Sequence, residues 1–466
     1  MKYLFALLPL ASLSLLADTI IPQQESNLSI TIYNDNRAFV HDVREANVTD
    51  GRQKLVYEGV PQSVITPSVV PTFSGIETQL FSQNYIYDLI SLDSMLKNSI
   101  GKPVEFYTNG DNPTLSMGTL LAYQPTVMVR QKGTGKILAL VKPTQVIFSS
   151  VPKNMITRPS LVWNIKTSHA GQLGIDLKYL TTGITWKSDY VLNLNPQSPE
   201  GKSLDLVGWI TVNNRSGVTY PHAHITCLAG DVNRVREPRH NIRREKSLAM
   251  AVAPAPQIKE ESFSGYHIYH IPFRETIANN QQKQIRFIDK TRVGYLQYGK
   301  ATNSYFEKYG TQKLLFGNTI EFVNSTANRI GVPLPSGIVR LYQKDHAGAT
   351  HFIGENRIHN LPEDEKVTLR IGTLFDAVGE KKITKYTARK GYRNVETTYT
   401  LRNQGKENLE LRVEEIIPTY GNSIKVKTSC KGICSVKKQN AFVREFTIRL
   451  KPKEKYAFTT EFEVYY

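Results

Sequence analysis

Apolar and polar residues alternate with a period of two along much of the chain. Ile175, Leu177 and Tyr179 alternate with Asp176 and Lys178, and Val367, Leu369 and Ile371 with Thr368 and Arg370. Leu409, Leu411 and Val413 do the same with Glu410, Arg412 and Glu414. Side chains on a strand point to opposite faces in turn, so this pattern predicts strands with one buried and one wet face. Gly, Pro and Asn interrupt such runs about every ten residues, a spacing that favours antiparallel sandwiches over βαβ units. The expected fold is mainly β, with a few short helices. An N-terminal β-rich domain over residues 18–165 would precede immunoglobulin-like antiparallel β-sandwich domains over 166–466.

Helical signals are local. Ser91 is placed to cap a short helix carrying Leu92, Met95 and Leu96 on one stripe, with Asp93 in the first turn and Gly101 ending it. A weaker helical pattern covers Tyr298 to Tyr309. A loose repeat also recurs, Ile210-Thr-Val-Asn-Asn214, Ile320-Glu-Phe-Val-Asn-Ser325 and Tyr399-Thr-Leu-Arg-Asn-Gln404. Each predicted strand closes on Asn, whose side chain can mimic a turn carbonyl and which tolerates left-handed backbone.

Composition narrows the class. The 466 residues are 40% hydrophobic, 21% charged and 10% aromatic, with 3 Cys. Wholesale disorder, collagen, a polytopic helical membrane protein and a disulfide-dense scaffold do not have this composition. Lys2, the apolar run Leu4 to Leu16 and the small Ala17 read as a signal peptide over residues 1–17, cleaved before Asp18. That predicts an exported protein of the periplasm or cell surface. The formal charge of +17 then directs attention to anionic envelope polymers rather than nucleic acid, with peripheral membrane contact allowed. The oligomeric state is not legible.

One stretch breaks the strand pattern. Arg234, Arg236, Arg239, Arg243, Arg244 and Lys246 precede an Ala-Pro segment from Ala249 to Pro256. With little apolar surface to bury, residues 234–262 are expected to form an exposed flexible loop, either a polyanion-binding arm or a solvated linker. In an oxidising compartment Cys430 and Cys434 would staple a tight turn through Gly432, leaving Cys227 as a small buried residue.

Catalytic signatures are missing from the sequence: there is no Gly-x-Ser-x-Gly elbow, no Walker loop and no His-Glu-x-x-His. His222 and His224 would share a strand face, with Cys227 on the other, which leaves a metal set incomplete. His267 and His270 would face opposite ways. Gly133-Thr134-Gly135 reads as a hairpin turn, and Glu414 and Glu415 as neighbours on opposite faces. Trp163, Trp186 and Trp209 lie in or beside strands, where they either pack in cores or stack on sugar rings. No cofactor or metal is expected, and no catalytic residue. Phe458, Thr460, Phe462, Val464 and Tyr466 alternate to the last residue, which suits a closing sandwich strand or the terminal strand of an outer-membrane β-barrel.

Several segments carry a resemblance. Ser29-Ile-Thr-Ile-Tyr33-Asn-Asp-Asn-Arg-Ala-Phe-Val40, Gln83-Asn-Tyr-Ile-Tyr-Asp88 and Tyr179-Leu-Thr-Thr-Gly-Ile-Thr-Trp186-Lys-Ser-Asp-Tyr190 resemble exported bacterial proteins of domain-of-unknown-function family 4139. So do Leu334-Pro-Ser-Gly337-Ile-Val-Arg-Leu-Tyr342, Phe352-Ile-Gly-Glu355 and Gly372-Thr-Leu-Phe375-Asp376. The resemblance implies a largely β envelope protein and brings no catalytic residues. Some relatives carry a mucoidy-inhibitor label, but the long coiled-coil insertions usual in them have no counterpart in this sequence. The expected function is a non-catalytic structural or binding role towards envelope proteins or anionic glycans. The alternatives are a hydrolase of envelope glycans or esters, with a site assembled from scattered residues, and the barrel.

Overall fold

The computed structural model describes residues 19–23, 27–87, 90–110, 112–151, 158–197, 201–230, 259–263, 266–304, 310–417 and 423–465. Residues 1–17, expected to be a signal peptide, and all six basic residues from Arg234 to Lys246 lie outside them. Within the described residues the protein is mainly β, with one α-helix, Leu92–Asn98. Chain contacts divide into two compact units: residues 1–186, 212–228 and 271–283 form the first, and 187–211, 229–270 and 284–466 the second.

In the first unit, the strand Arg37–Val48 pairs with Asn27–Tyr33 on one side and Gly171–Thr182 on the other. Asn27–Tyr33 in turn lies parallel to Tyr220–Ala229. A four-stranded sheet runs Thr19–Ile21, Gly51–Glu58, Ser160–Thr167, Thr78–Ile86. Trp163 is fully buried there against Tyr57, with ring centroids 5.3 Å apart. Arg44 is buried beside Asp42 at 2.6 Å and donates to Glu58 O at 2.7 Å, its guanidinium lying 3.9 Å over the Tyr57 ring. Burial of that cation is offset by its full set of partners.

The helix forms as its sequence dictates. The Ser91 hydroxyl accepts from Ser94 N, and the Ser94 hydroxyl accepts in return from Ser91 N. Met95 and Leu96 are buried, with Leu96 in a small core with Val104, Phe106, Leu120 and Val129. Leu92, at the first position of the same stripe, instead stays 40% exposed.

The second unit contains three sheets. A five-stranded sheet is ordered Gln281–Gly294, Ser203–Asn214, Ile184–Asn195, Gly337–Lys344, Thr350–Ile358. A six-stranded sheet runs Lys366–Thr373, Gly317–Val323, Leu296–Ser304, Leu409–Ile416, Val443–Leu450, Cys434–Lys438. The C-terminal sheet runs Gly310–Leu314, Ala377–Arg389, Tyr392–Asn403, Lys455–Tyr465, Ser423–Thr428. Tyr190, Leu192, Val339 and Leu341 of the first share a core with Ile320, Phe322, Val367 and Leu369 of the second. Leu411, Val413, Phe446 and Ile448 of the second share another with Tyr399, Leu401, Phe458 and Phe462 of the third. The alternation of the last strand therefore fills a core between two facing sheets.

Three expectations are corrected. Tyr298 to Ser304 is strand, not helix: Leu296–Ser304 pairs on both edges, and Gly299, Ala301 and Asn303 are buried in alternation. The sheets are mixed rather than purely antiparallel, since Ile184–Asn195 lies parallel to Gly337–Lys344 and Leu296–Ser304 parallel to Leu409–Ile416. The expected loop also stops short of residue 262, because Lys259–Phe263 pairs with Tyr266–His270 as a hairpin.

Candidate functional site

The sequence-derived candidates are distributed as follows. Cys430 and Cys434 form a disulfide with Cα atoms 5.1 Å apart, and Gly432 between them has φ +68°. Cys227 is a buried free thiol whose burial pushes its pKa well above the usual thiol value. His222 and His224 are exposed, but His222 has φ +43° at a break in strand pairing, so the regular spacing expected of them is interrupted. No group of three or more His, Cys, Asp or Glu suited to a metal occurs among the described residues. Trp163 and Trp186 are buried, and Trp209 is half-buried.

Among the hollows lined by described residues are two of different size. One, of about 60 Å³, is lined mainly by Tyr269, Leu334, Pro335 and Leu361. The other, of about 350 Å³ and open to solvent, is lined by Gln62, Ser63, Arg215, Ser216, Asn279 and Asn280. The Ser63 hydroxyl in the latter is 2.9 Å from the Thr181 hydroxyl and 2.6 Å from Thr182 O. These partners orient the hydroxyl without supplying a base to remove its proton.

A polar row runs along the side of the five-stranded sheet turned away from its core, with Thr211 and Asp189 buried and Arg340 and Glu355 more exposed. One residue from each strand joins a row of contacts across it. Gln284 donates to the Thr211 hydroxyl at 3.2 Å, and Thr211 donates to Asp189 Oδ2 at 3.0 Å. Asp189 also meets Arg340 at 3.4 Å and Lys187 at 3.2 Å, and Arg340 reaches Glu355 at 3.6 Å. The period-two rule explains the row: Tyr190, Leu192, Val339 and Leu341 point into the core, which sends Asp189 and Arg340 to the other side.

Aromatic rings flank this row on the same face. Arg286 lies 5.2 Å over the Trp209 ring and pairs with Asp289 at 2.7 Å. Tyr342 and Phe352, opposite each other in their ladder, pack edge to face at 5.7 Å. Asn193, the register partner of Tyr342, is exposed beside them.

The parallel pairing that builds the face is set at its start. Ser188 and Gly337 are register partners, the Ser188 hydroxyl donates to Ser336 O at 2.9 Å, and Tyr190 OH donates to Pro335 O at 2.6 Å. Composition and short motifs did not single out Asp189, Arg340 and Glu355. They do fall inside three of the segments that carry the family resemblance, and the fold brings those segments onto adjacent strands.

These features define a multi-sheet β protein with an ordered polar and aromatic sheet face. The chain belongs to the family described as Domain of unknown function (DUF4139), whose match spans residues 175–466. No curated protein matches the chain.

Proposed function

We propose that this is an exported envelope protein with a non-catalytic binding role, and that the outward face of the five-stranded sheet receives an oligosaccharide. The observation that supports this reading is the placement of Trp209, Tyr342 and Phe352 on one face with the Asp189–Arg340–Glu355 row. A sugar ring offers a patch of C–H bonds that stacks on aromatic faces, and vicinal hydroxyls that match carboxylate, amide and guanidinium groups. Because Asp189 is already held by Thr211 and Arg340, little side-chain entropy remains to be lost on binding. Export is supported by the Lys2, Leu4 to Leu16, Ala17 pattern and by the Cys430–Cys434 bond.

The test is a glycan array of neutral and acidic bacterial oligosaccharides probed with residues 18 to 466, followed by calorimetry on any hit. Trp209→Ala and Phe352→Ala should each weaken a hit about tenfold, the size of losing one stacking contact. An array without binding, or a hit unaffected by both substitutions, overturns the reading. Turnover of glycosidase or esterase substrates by the same preparation would favour the hydrolase instead.

A further inference from the structure

A second polar cluster lies between the two facing sheets of the C-terminal core. Glu415 is fully buried and Lys381 nearly so, with Lys381 Nζ 3.0 Å from Glu415 Oε2. Lys381 comes from Ala377–Arg389 of the C-terminal sheet, and Glu415 from Leu409–Ile416 of the sheet facing it. Asn303 is the register partner of Glu415 on the neighbouring parallel strand, and it is 8% exposed. Lys381 Nζ also lies 3.5 Å from Ser304 O, the carbonyl immediately after Asn303. The Nδ2 of Asn303 and the Oε1 of Glu415 are both buried without a hydrogen-bond partner. A buried amide nitrogen that makes no hydrogen bond costs on the order of 1–3 kcal/mol, so its retention beside a buried amine and carboxyl calls for a reason.

We propose that Lys381, Asn303 and Glu415 form a self-processing site that joins Lys381 to Asn303 through an intramolecular isopeptide bond. Glu415 takes a proton from the Lys381 ammonium, leaving a neutral amine whose lone pair attacks Cγ of Asn303. The attacking nitrogen gives up one of its two remaining protons to Glu415 as Glu415 protonates the departing Nδ2, the Cγ–Nδ2 bond breaks, and one ammonia leaves beside a neutral amide and a protonated Glu415. One C–N bond forms and one breaks, no electrons change hands, and no co-reactant is needed. Glu415 touches the reacting atoms at both proton transfers and is therefore the catalytic residue.

The surroundings suit that chemistry. Burial, opposed less strongly by Lys381, holds the Glu415 carboxyl above the ordinary glutamate value, which makes it a better proton acceptor than a solvated glutamate. Tyr399, Phe446 and Phe458 pack beside one another in the same core, with Tyr399 and Phe458 stacked at 4.7 Å. These rings exclude water, which would otherwise solvate the ammonium and compete for the Asn303 carbonyl carbon. Carrying amine and amide on one folded chain, with Lys381 paired to Glu415 and Asn303 the register partner of Glu415, replaces a bimolecular encounter with an intramolecular one. The bond would tie the two facing sheets together at the level of Ala377–Arg389 and Leu296–Ser304.

Mass spectrometry of the purified full chain after trypsin, without prior heating, tests this directly. The expected result is one branched peptide containing both Lys381 and Asn303, lighter than its two parts by one ammonia, and no cleavage at Lys381. Asn303→Ala and Glu415→Gln should each yield the two separate peptides at full mass. Separate, full-mass peptides from the folded wild-type protein overturn the proposal and leave an ordinary buried ion pair. A branched peptide that persists in Asn303→Ala also overturns it, because the acceptor is then another residue. The wild-type reading does not depend on whether either variant folds.

Discussion

Asn214 and Asn403 make matching hydrogen bonds at the ends of two strands in different units. Asn214 Oδ1 accepts from Ser216 N at 3.1 Å while its Nδ2 donates to Val218 O at 2.8 Å. Asn403 Oδ1 accepts from Gly405 N at 2.9 Å and its Nδ2 donates to Glu407 O at 2.7 Å. Each amide then reaches a second segment, Ile277 O and Ala278 O for Asn214, Leu450 O and Lys451 O for Asn403. Asn324 repeats only the donor half, its Nδ2 bridging Val332 O and Pro362 O while its Oδ1 has no partner. All three are buried, so the loose repeat in the sequence marks carboxamide plugs that close strand ends.

Asn403→Ala should therefore cost roughly 3 kcal/mol, since three carbonyls lose their donor in a buried site. Asn403→Asp should cost more, because it sets a carboxylate against those carbonyls. Urea unfolding of the two variants measures this, and an unchanged midpoint for Asn403→Ala would contradict the plug assignment.

Gly337→Ala should destabilise the protein by roughly 2 kcal/mol, within the range of overpacking. An added Cβ at that position meets both the hydroxyl and the backbone carbonyl of Ser188 on the parallel neighbour. Combining it with Ser188→Ala should restore only part of the loss, since the carbonyl contact remains. Melting temperatures of the single and double variants decide between side-chain and backbone crowding.

Removing the disulfide with Cys430→Ser and Cys434→Ser together should cost about 2 kcal/mol, the modest value expected for so short a loop. Both cysteines sit in the C-terminal core. Reductant should lower the wild-type melting temperature towards that of the double variant and leave the variant unmoved. A reductant effect on the variant would point to a different bond.

Asp176 contacts His41 at 3.0 Å and Lys178 at 3.1 Å on the strand Gly171–Thr182 and its neighbour. Slight burial pulls its carboxyl up, but the hydrogen bonds and charges of Lys178 and His41 outweigh this and hold it below the ordinary aspartate value. A carboxyl lowered on folding stabilises the protein above its unfolded pKa, and that contribution disappears as pH falls through the folded value. Asp176→Asn should thus flatten the stability profile below about pH 4, by under about 1 kcal/mol because the pair is partly solvated. A profile identical to wild type from pH 2 to 5 would show that the contacts carry no linkage.

Much of the secondary structure was legible because its causes are local. Ser91 and Ser94 cap the helix within one turn, Gly432 permits the turn that Cys430 and Cys434 close, and period-two runs such as Leu409 to Val413 announce a buried face. Glu414 and Glu415 were expected to face opposite ways, and they do: Glu414 pairs with Lys300 at 2.7 Å, while Glu415 is buried beside Lys381. The strand at Tyr298 escaped sequence reading because Gly299, Ala301 and Asn303 are small, and small residues give no hydrophobic period.

By itself the sequence determined the β class, the short helix, the stapled turn and the Asn-closed strand ends, since each depends on residues within a few positions of one another. Only the tertiary structure decided that Ser188 lies beside Gly337, that Asp189 meets Arg340, and that Lys381 pairs with Glu415, whose register partner is Asn303. Those pairings join segments far apart in the chain through parallel ladders and facing sheets. A strand's own alternation fixes which face is buried, but it does not specify its neighbour, because any strand of the same period offers the same backbone donors and acceptors.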